Sequence, residues 1–326
     1  GAELRLGRRA VTLDPAARRV RDDRGEEYCY GKLLLATGGI PRRLPFGGEE
    51  IIYFRTLADY RRLRGLVDGG GHFAVIGGGF IGSEIAAALA MNGAGVTMLF
   101  PEATIGRRVF PGDLAAFVTD YYRQKGVEVL AGESATGVER TAAGLTVTTG
   151  SGKRISVAGV VAGIGIEPEL ALARQAELPV DDGVEVDELL RAGNPHIFAA
   201  GDLVSFFSPQ LGRRLRVEHE DNALTMGKHA GRNMAGAGEP YGHLPFFYSD
   251  LFELGYEAVG ELDSRLETFA DWREPYREGV VYYLREGRVR GVLLWNVWDQ
   301  VDAARSLIAA GEELTPEALR GRLPLK

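Results

Sequence analysis

The sequence predicts an α/β fold, and three observations carry that prediction. The apolar run Phe73-Ala74-Val75-Ile76 passes into Gly77, Gly79 and Gly82 at G-x-G-x-x-G spacing. A helical stretch to about Asn92 follows, with Ile81, Ile85 and Leu89 four apart on one face. A second apolar run, Val96 to Phe100, then ends at Pro101-Glu102. Strand, glycine turn, helix and strand in this order make a βαβ unit, whose strands are buried on both faces and so lack polar alternation.

The elements before this unit read as short strands and one helix. Ala10 to Asp14, Arg18 to Val20 and Tyr28 are separated by charged turns and suggest a small β-meander. Lys32 to Leu35 is a buried strand that runs into Ala36-Thr37-Gly38-Gly39. Thr56 is a predicted N-cap for a helix over Leu57 to Val67. After the unit, Asp113 is expected to cap a helix over Leu114 to Lys125, closed by Gly126. Strands are predicted at Val127–Leu130, Ala135–Arg140, Leu145–Thr149 and Ile155–Ala162. A short helix, a strand near Val184 to Val186 and the run His196 to Asp202 come next, then a helix from about Asp221 to Met234. From Leu244 the pattern turns to antiparallel strands, Tyr256–Gly260, Leu266–Ala270, Val280–Leu284 and Val289–Trp295, with a hairpin signal at Arg285-Glu286-Gly287-Arg288. Residues 300 to 310 and Thr315-Pro316 onward are predicted helices.

Each glycine of the turn has a physical task in binding a dinucleotide. One makes the tight turn, one lets a pyrophosphate approach backbone, and one lets helix press on strand. The pyrophosphate then meets the N–H groups and positive end of the helix. Glu102 lies 20 residues beyond Gly82, where an acid meets a ribose 2′-OH. Arg107 and Arg108 offer an alternative grip for a 2′-phosphate, but Glu102 repels one, so NAD is favoured over NADP.

Composition bounds the rest. The 326 residues suggest two or three domains, and 45% hydrophobic with 25% charged content describes an ordinary globular protein. A net charge of −7 argues against general nucleic-acid binding, which needs clustered cations. No apolar run approaches the roughly 18 residues of a membrane span. Cys29 is the sole cysteine, so there is no disulfide framework, no C-x-x-C pair and no thiolate metal cage, and no metal is expected. A cytoplasmic location is expected, or a mitochondrial one if a targeting segment lies upstream of Gly1.

A second cofactor site is suggested by the strands ending Ala36-Thr37-Gly38-Gly39 and Ala199-Ala200-Gly201-Asp202. Glycine there lets a cofactor touch backbone, and Asp202 can accept from ribitol hydroxyls. Alone, Gly-Asp reads as a turn; the order ATGG, GxGxxG, meander, AAGD changes that reading. This order resembles the two-dinucleotide flavoproteins, in which a NAD-binding domain is inserted in a FAD-binding domain. Within them the chain is similar to the apoptosis-inducing factor family, on GGGFIGSE (77–84), LFPE (99–102), LGRRLRVEHEDNA (211–223), YSDLFELGYEAVG (248–260) and VVYYLREGRVRGVLLWN (280–296).

The resemblance implies a partial FAD-binding domain at 1–60 and 166–243, a NAD-binding domain at 61–165 and a C-terminal α+β domain at 244–326. It implies FAD contacts from Ala10, Thr37, Gly38, Arg55, Gly201, Asp202, His219 and Glu220. It implies NAD contacts from Gly77, Gly78, Gly79, Phe80, Ile81, Gly82, Glu102, Arg107, Gly165, Glu218, Tyr248, Glu257 and Asn296. Phe80, Glu84, His219 and Tyr248 are expected near the redox centre, Phe80 covering the flavin without nucleotide and Glu84 pairing with a Lys outside this chain. The chain departs from the family at Tyr248, where Trp is common, and at Glu220, where a second His is common. The FAD-domain glycine fingerprint is expected upstream of Gly1, with exposed sheet where that part would pack. The long C-terminal insertion of animal members is spanned briefly by Leu266 to Gly279. The implied activity is FAD-dependent NADH oxidation, with a quinone, a redox protein or oxygen as acceptor. A ferredoxin or rubredoxin reductase, or an NADH-sensing binding protein that switches to a homodimer, are the alternatives.

Overall fold

The strand His72–Ile76 is the centre of a five-stranded parallel sheet in the computed structural model, which describes residues 1–142 and 144–324. The sheet order is Ile51–Ile52, Gly159–Ala162, His72–Ile76, Gly95–Phe100 and Glu128–Ala131, every pairing parallel. Phe73, Ala74 and Val75 are fully buried, as a strand covered on both faces requires. The helices Phe80–Met91 and Gly112–Gln124 supply Ile85, Leu89, Leu114 and Val118 to that core.

The predicted strand Ile155–Ala162 is two strands. Arg154–Val157 joins an antiparallel meander with Ala135–Thr141 and Gly144–Thr149, whereas Gly159–Ala162 joins the parallel sheet. Ala158 breaks the run, donating its N–H to the His72 carbonyl. The burial patterns explain the difference. Arg-Ile-Ser-Val alternates between solvent and core, while Gly-Val-Val-Ala is buried throughout. Asp113 is also corrected: the helix begins at Gly112 with Pro111 as N-cap, and Asp113 sits in the first turn. Thr56 does cap Leu57–Asp68, in a full capping box with Asp59.

The chain divides into two compact units. The one just described comprises Pro41–Ile166 and Tyr248–Lys326. Its C-terminal part holds the strands Leu254–Gly260, Arg288–Trp295, Glu278–Arg285 and Glu267–Glu274, antiparallel in that order. The Arg285–Arg288 hairpin closes through Glu286 and Gly287, both with positive φ (52° and 71°), as a primed two-residue turn demands.

The other unit, the first in chain order, comprises Gly1–Ile40 and Glu167–Phe247. Ala10–Asp14, Arg19–Asp22 and Glu27–Cys29 form its meander. Leu33–Leu35 runs parallel to Ile197–Ala199, and no strand lies on its other edge among the described residues. The helix Glu220–Met234 buries Met226 and Ala230 against Leu35, Ile197, Ala199 and Val204.

Candidate functional site

The glycine turn divides its work by the space each missing side chain leaves. Gly77 has φ 116°, and a Cβ there would lie 2.3 Å from the Gly163 carbonyl oxygen. A Cβ on Gly82 would meet the Gly77 oxygen at 2.0 Å, so helix and turn touch through backbone. Gly78 rests on the Phe100 ring, 2.8 Å from an ideal Cβ. Gly79 differs, since a Cβ there would meet nothing within 4 Å. Gly79 is also the N-cap of Phe80–Met91, with no side chain capping the helix. The turn therefore presents open space to an uncapped, positive helix end, the environment a pyrophosphate needs.

Glu102 follows Gly95–Phe100, and its carboxylate lies 3.5 Å from Arg108. Arg107 is held by Ser264, to whose Oγ its guanidinium donates at 3.2 Å and whose hydroxyl donates back to the Arg107 carbonyl at 2.8 Å. A 2′-phosphate at this strand end would meet the Glu102 carboxylate, whereas a 2′-OH could donate to it. Half-buried Ile81 packs toward Gly163. Gly165 (φ 93°) receives the Arg42 N–H at 3.0 Å.

Four residues from Phe80 on the same helix, Glu84 shares its face. Phe80 is 40% exposed. Glu84 Oε1 accepts from the Ser249 hydroxyl at 2.5 Å. Burial holds the Glu84 carboxyl above the usual range, with Asp250 adding to the rise and Ser249 opposing it. Tyr248 is exposed beside buried Ser249. Glu257, on Leu254–Gly260, has its Oε2 buried without a hydrogen-bond partner, and burial, then Asp299, raises its pKa. An orphaned buried acceptor fits a site completed by a ligand's donor. Asn296 (φ 50°) spends both ends of its amide on backbone: Oδ1 accepts from Gly255 N–H at 2.6 Å, and Nδ2 donates to the Arg277 carbonyl at 2.8 Å.

In the first unit, the parallel strands Leu33–Leu35 and Ile197–Ala199 both lead into glycines in the left-handed region, Gly38 (φ 63°) and Gly201 (φ 88°). Thr37 donates its hydroxyl to the Glu169 carbonyl at 2.9 Å. Gly201 lies close to the helix Glu220–Met234, its would-be Cβ 3.8 Å from Ala223. The Asp202 carbonyl accepts from Arg216 at 3.3 Å, and the same guanidinium nitrogen reaches Glu218 at 2.8 Å. Such strand ends, backbone bared by glycine and followed by an acid, fit a polyhydroxylated cofactor. Ala10 is exposed at the start of its strand, and Glu218 belongs to this unit, whereas Arg55 belongs to the second, its N–H donating to Asp59 at 3.1 Å.

His219 is the N-cap of Glu220–Met234 and stacks on Phe247, ring centroids 4.5 Å apart at 15°. Burial pushes its pKa down to about 4, with Asp221 pulling the other way, so the imidazole is neutral at neutral pH. Glu220 is exposed in the helix's first turn.

Gly163, Phe100, Ser249 and Phe247 escaped the sequence reading. Gly163 had a signal, a glycine ending a buried strand; the others meet their partners only through the fold. Among the described residues no cluster of His, Cys, Asp and Glu is arranged to hold a metal ion. None of their helices is long and apolar enough to cross a membrane.

Comparison with known proteins matches residues 1–227 to the pyridine nucleotide-disulphide oxidoreductase family. Residues 230–275 and 270–310 match the apoptosis-inducing factor, mitochondrion-associated, C-terminal family. Apoptosis-inducing factor 1, mitochondrial, of Dictyostelium discoideum is 37% identical over 87% of this chain, which spans 58% of that protein. The anthranilate 1,2-dioxygenase system ferredoxin–NAD(+) reductase component of Burkholderia cepacia is 34% identical over 97% of the chain and 79% of its own length. The crystal structure of a covalent putidaredoxin reductase–putidaredoxin complex superposes with a TM-score of 0.89 at 29% identity, covering 98% of this chain and 79% of that one.

Proposed function

We propose, for a chain that belongs to the pyridine nucleotide-disulphide oxidoreductase family, an FAD-dependent NADH oxidoreductase activity of the apoptosis-inducing-factor type. The observation that carries the NADH half is the open space at Gly79 before an uncapped helix, with Glu102 at the end of the next strand. Bound FAD supplies an acceptor for hydride and a donor of single electrons.

The chain's own residues bind and orient. Gly79 admits the pyrophosphate, Gly77 and Gly82 close the turn against Gly163 and the helix, and Glu102 accepts from the adenosine ribose. Glu257 offers its buried Oε2 to a donor on the nucleotide. The exposed rings of Phe80 and Tyr248 offer stacking surface near the nicotinamide. Asp202 accepts from ribitol hydroxyls, and His219 presents a neutral imidazole to the flavin.

The direct test is anaerobic stopped-flow mixing of the FAD-loaded protein with NADH. Bleaching of flavin absorbance at about 450 nm is expected; an unchanged spectrum overturns the assignment. For the acceptor, the Burkholderia relative and putidaredoxin reductase favour a small redox protein. Cytochrome c reduction that requires added ferredoxin supports that choice, and equal rates without it return a quinone or oxygen.

One observation favours a second reading, an NADH-sensing protein that changes assembly state. Arg216 ties Glu218, expected at the NAD site, to the backbone of Asp202, expected at FAD. Size-exclusion chromatography with and without NADH decides it, and an unchanged elution volume removes it.

A further inference from the structure

One helix end in the first unit is stitched to a distant segment by three hydrogen bonds. Asp221 Oδ2 accepts from His243 Nε2 at 2.5 Å and from the Phe246 N–H at 3.2 Å. Beside it, Asn222 Oδ1 accepts from the Tyr241 hydroxyl at 2.8 Å. A single carboxylate oxygen thus grips both ends of His243-Leu244-Pro245-Phe246. Between them, Leu244 is buried and Pro245 fixes its own φ and restricts the residue before it. With both ends held and the middle stiff, the path of the next residue is set. That residue is Phe247, which stacks on His219, the N-cap of the same helix. Helix end, clamp and stacked ring form one closed circuit within the unit.

We infer that the Asp221–His243 pair is a positioning device that holds Phe247 on His219 and so fixes the plane of the imidazole. This rests on the proposed function in one respect, that His219 faces the flavin. An imidazole free to rotate presents its nitrogens to a cofactor in varied planes, whereas one stacked at 15° against a phenyl ring keeps them in one plane. Asp221 suits the task, because a carboxylate in the first turn of a helix is stabilised by the helix's positive end. His243 suits it because its ring reaches Asp221 with a donor nitrogen whether neutral at Nδ1 or fully protonated. Neither residue needs to touch the cofactor.

The test uses the full chain and needs no flavin. The ring protons of His219, assigned with His219→Asn, are expected to be displaced upfield by the ring current of Phe247 in the wild type. Phe247→Leu removes that displacement and calibrates the signal. His243→Phe keeps an aromatic ring but loses the donor, and loss of the displacement is expected. His243→Gln, whose Nε2 can reach Asp221, is expected to restore it. A merely structural staple would leave the His219 signal in place, and such a result in a folded His243→Phe chain overturns the inference. Should His243→Phe fail to fold, Asp221→Ala removes the acceptor for both His243 and the Phe246 N–H, and an unmoved His219 signal there overturns the inference equally. In the FAD-loaded protein, His243→Phe is expected to slow flavin reduction by NADH on the order of tenfold or more, through kcat rather than KM, with His243→Gln recovering it. Normal reduction with a lost stack, or an intact stack with no reduction, separates failure of the inference from failure of the proposed function.

Discussion

Gly79 and Gly82 lie three residues apart and treat the space of a missing side chain in opposite ways. A methyl group at Gly79 enters the open space and touches no protein atom, whereas one at Gly82 strikes the Gly77 carbonyl at 2.0 Å. Gly79→Ala is therefore expected to fold normally, with thermal stability little changed, and to weaken NADH binding about tenfold or more by occupying the pyrophosphate's place. Gly82→Ala is expected to destabilise the unit by about 1–3 kcal/mol, visible as a lowered denaturation midpoint before any ligand is added. Equal stability of the two variants would contradict this division of labour. Glu102→Gln is expected to raise KM for NADH several-fold and to narrow the preference over NADPH, measured as the ratio of kcat/KM values. The spacing in the sequence named the glycine turn and its acid, because those relations are local. It did not name Phe100 beneath Gly78 or Ser249 on Glu84, 165 residues away, because partners so distant become neighbours only through the fold.

The helix Glu220–Met234 shows how an element couples a site to stability. Its N-cap His219 titrates at about 4 when folded, against 6.5 for an ordinary histidine, because burial disfavours the cation. For a base with a depressed folded pKa, the unfolded chain binds the extra proton first as pH falls. Stability is full above about pH 6.5 and declines toward pH 4, by about 1–3 kcal/mol after allowing for partial solvent screening. Urea midpoints measured from pH 7.5 to 4 are expected to fall more steeply for the wild type than for His219→Asn, and parallel curves would refute the assignment. Elements whose signals are local were legible in the sequence. Thr56 announces an N-cap, and Arg285-Glu286-Gly287-Arg288 announces a hairpin; the capping box with Asp59 and the positive φ of Glu286 are details the structure adds. Ile155–Ala162 reads as one strand in the sequence, although Arg154-Ile155-Ser156-Val157 alternates and Gly159 opens the fully buried run, because so short an alternation is easily merged with the apolar residues that follow.

At the scale of the molecule, each unit has a core of its own. One gathers Leu35, Val184, Ile197, Val204 and Met226, and the other Ala74, Ile76, Leu99, Val147 and Val160. The pyrophosphate turn at 77–82 lies wholly in the second unit, and the strand end Gly201-Asp202 lies wholly in the first. A ligand stabilises the body that binds it by RT ln(1 + [L]/Kd), about 2.7 kcal/mol at a hundredfold excess over Kd. For bodies of this size that corresponds to a rise of roughly 5–10 °C in Tm. Calorimetry with NADH is expected to move the transition of the second unit, and calorimetry with FAD that of the first. Gly79→Ala should abolish the NADH shift and leave the FAD shift intact, while Asp202→Ala should do the reverse. An FAD shift lost in Gly79→Ala, or an NADH shift lost in Asp202→Ala, would mean that the two nucleotides do not divide between the units in this way.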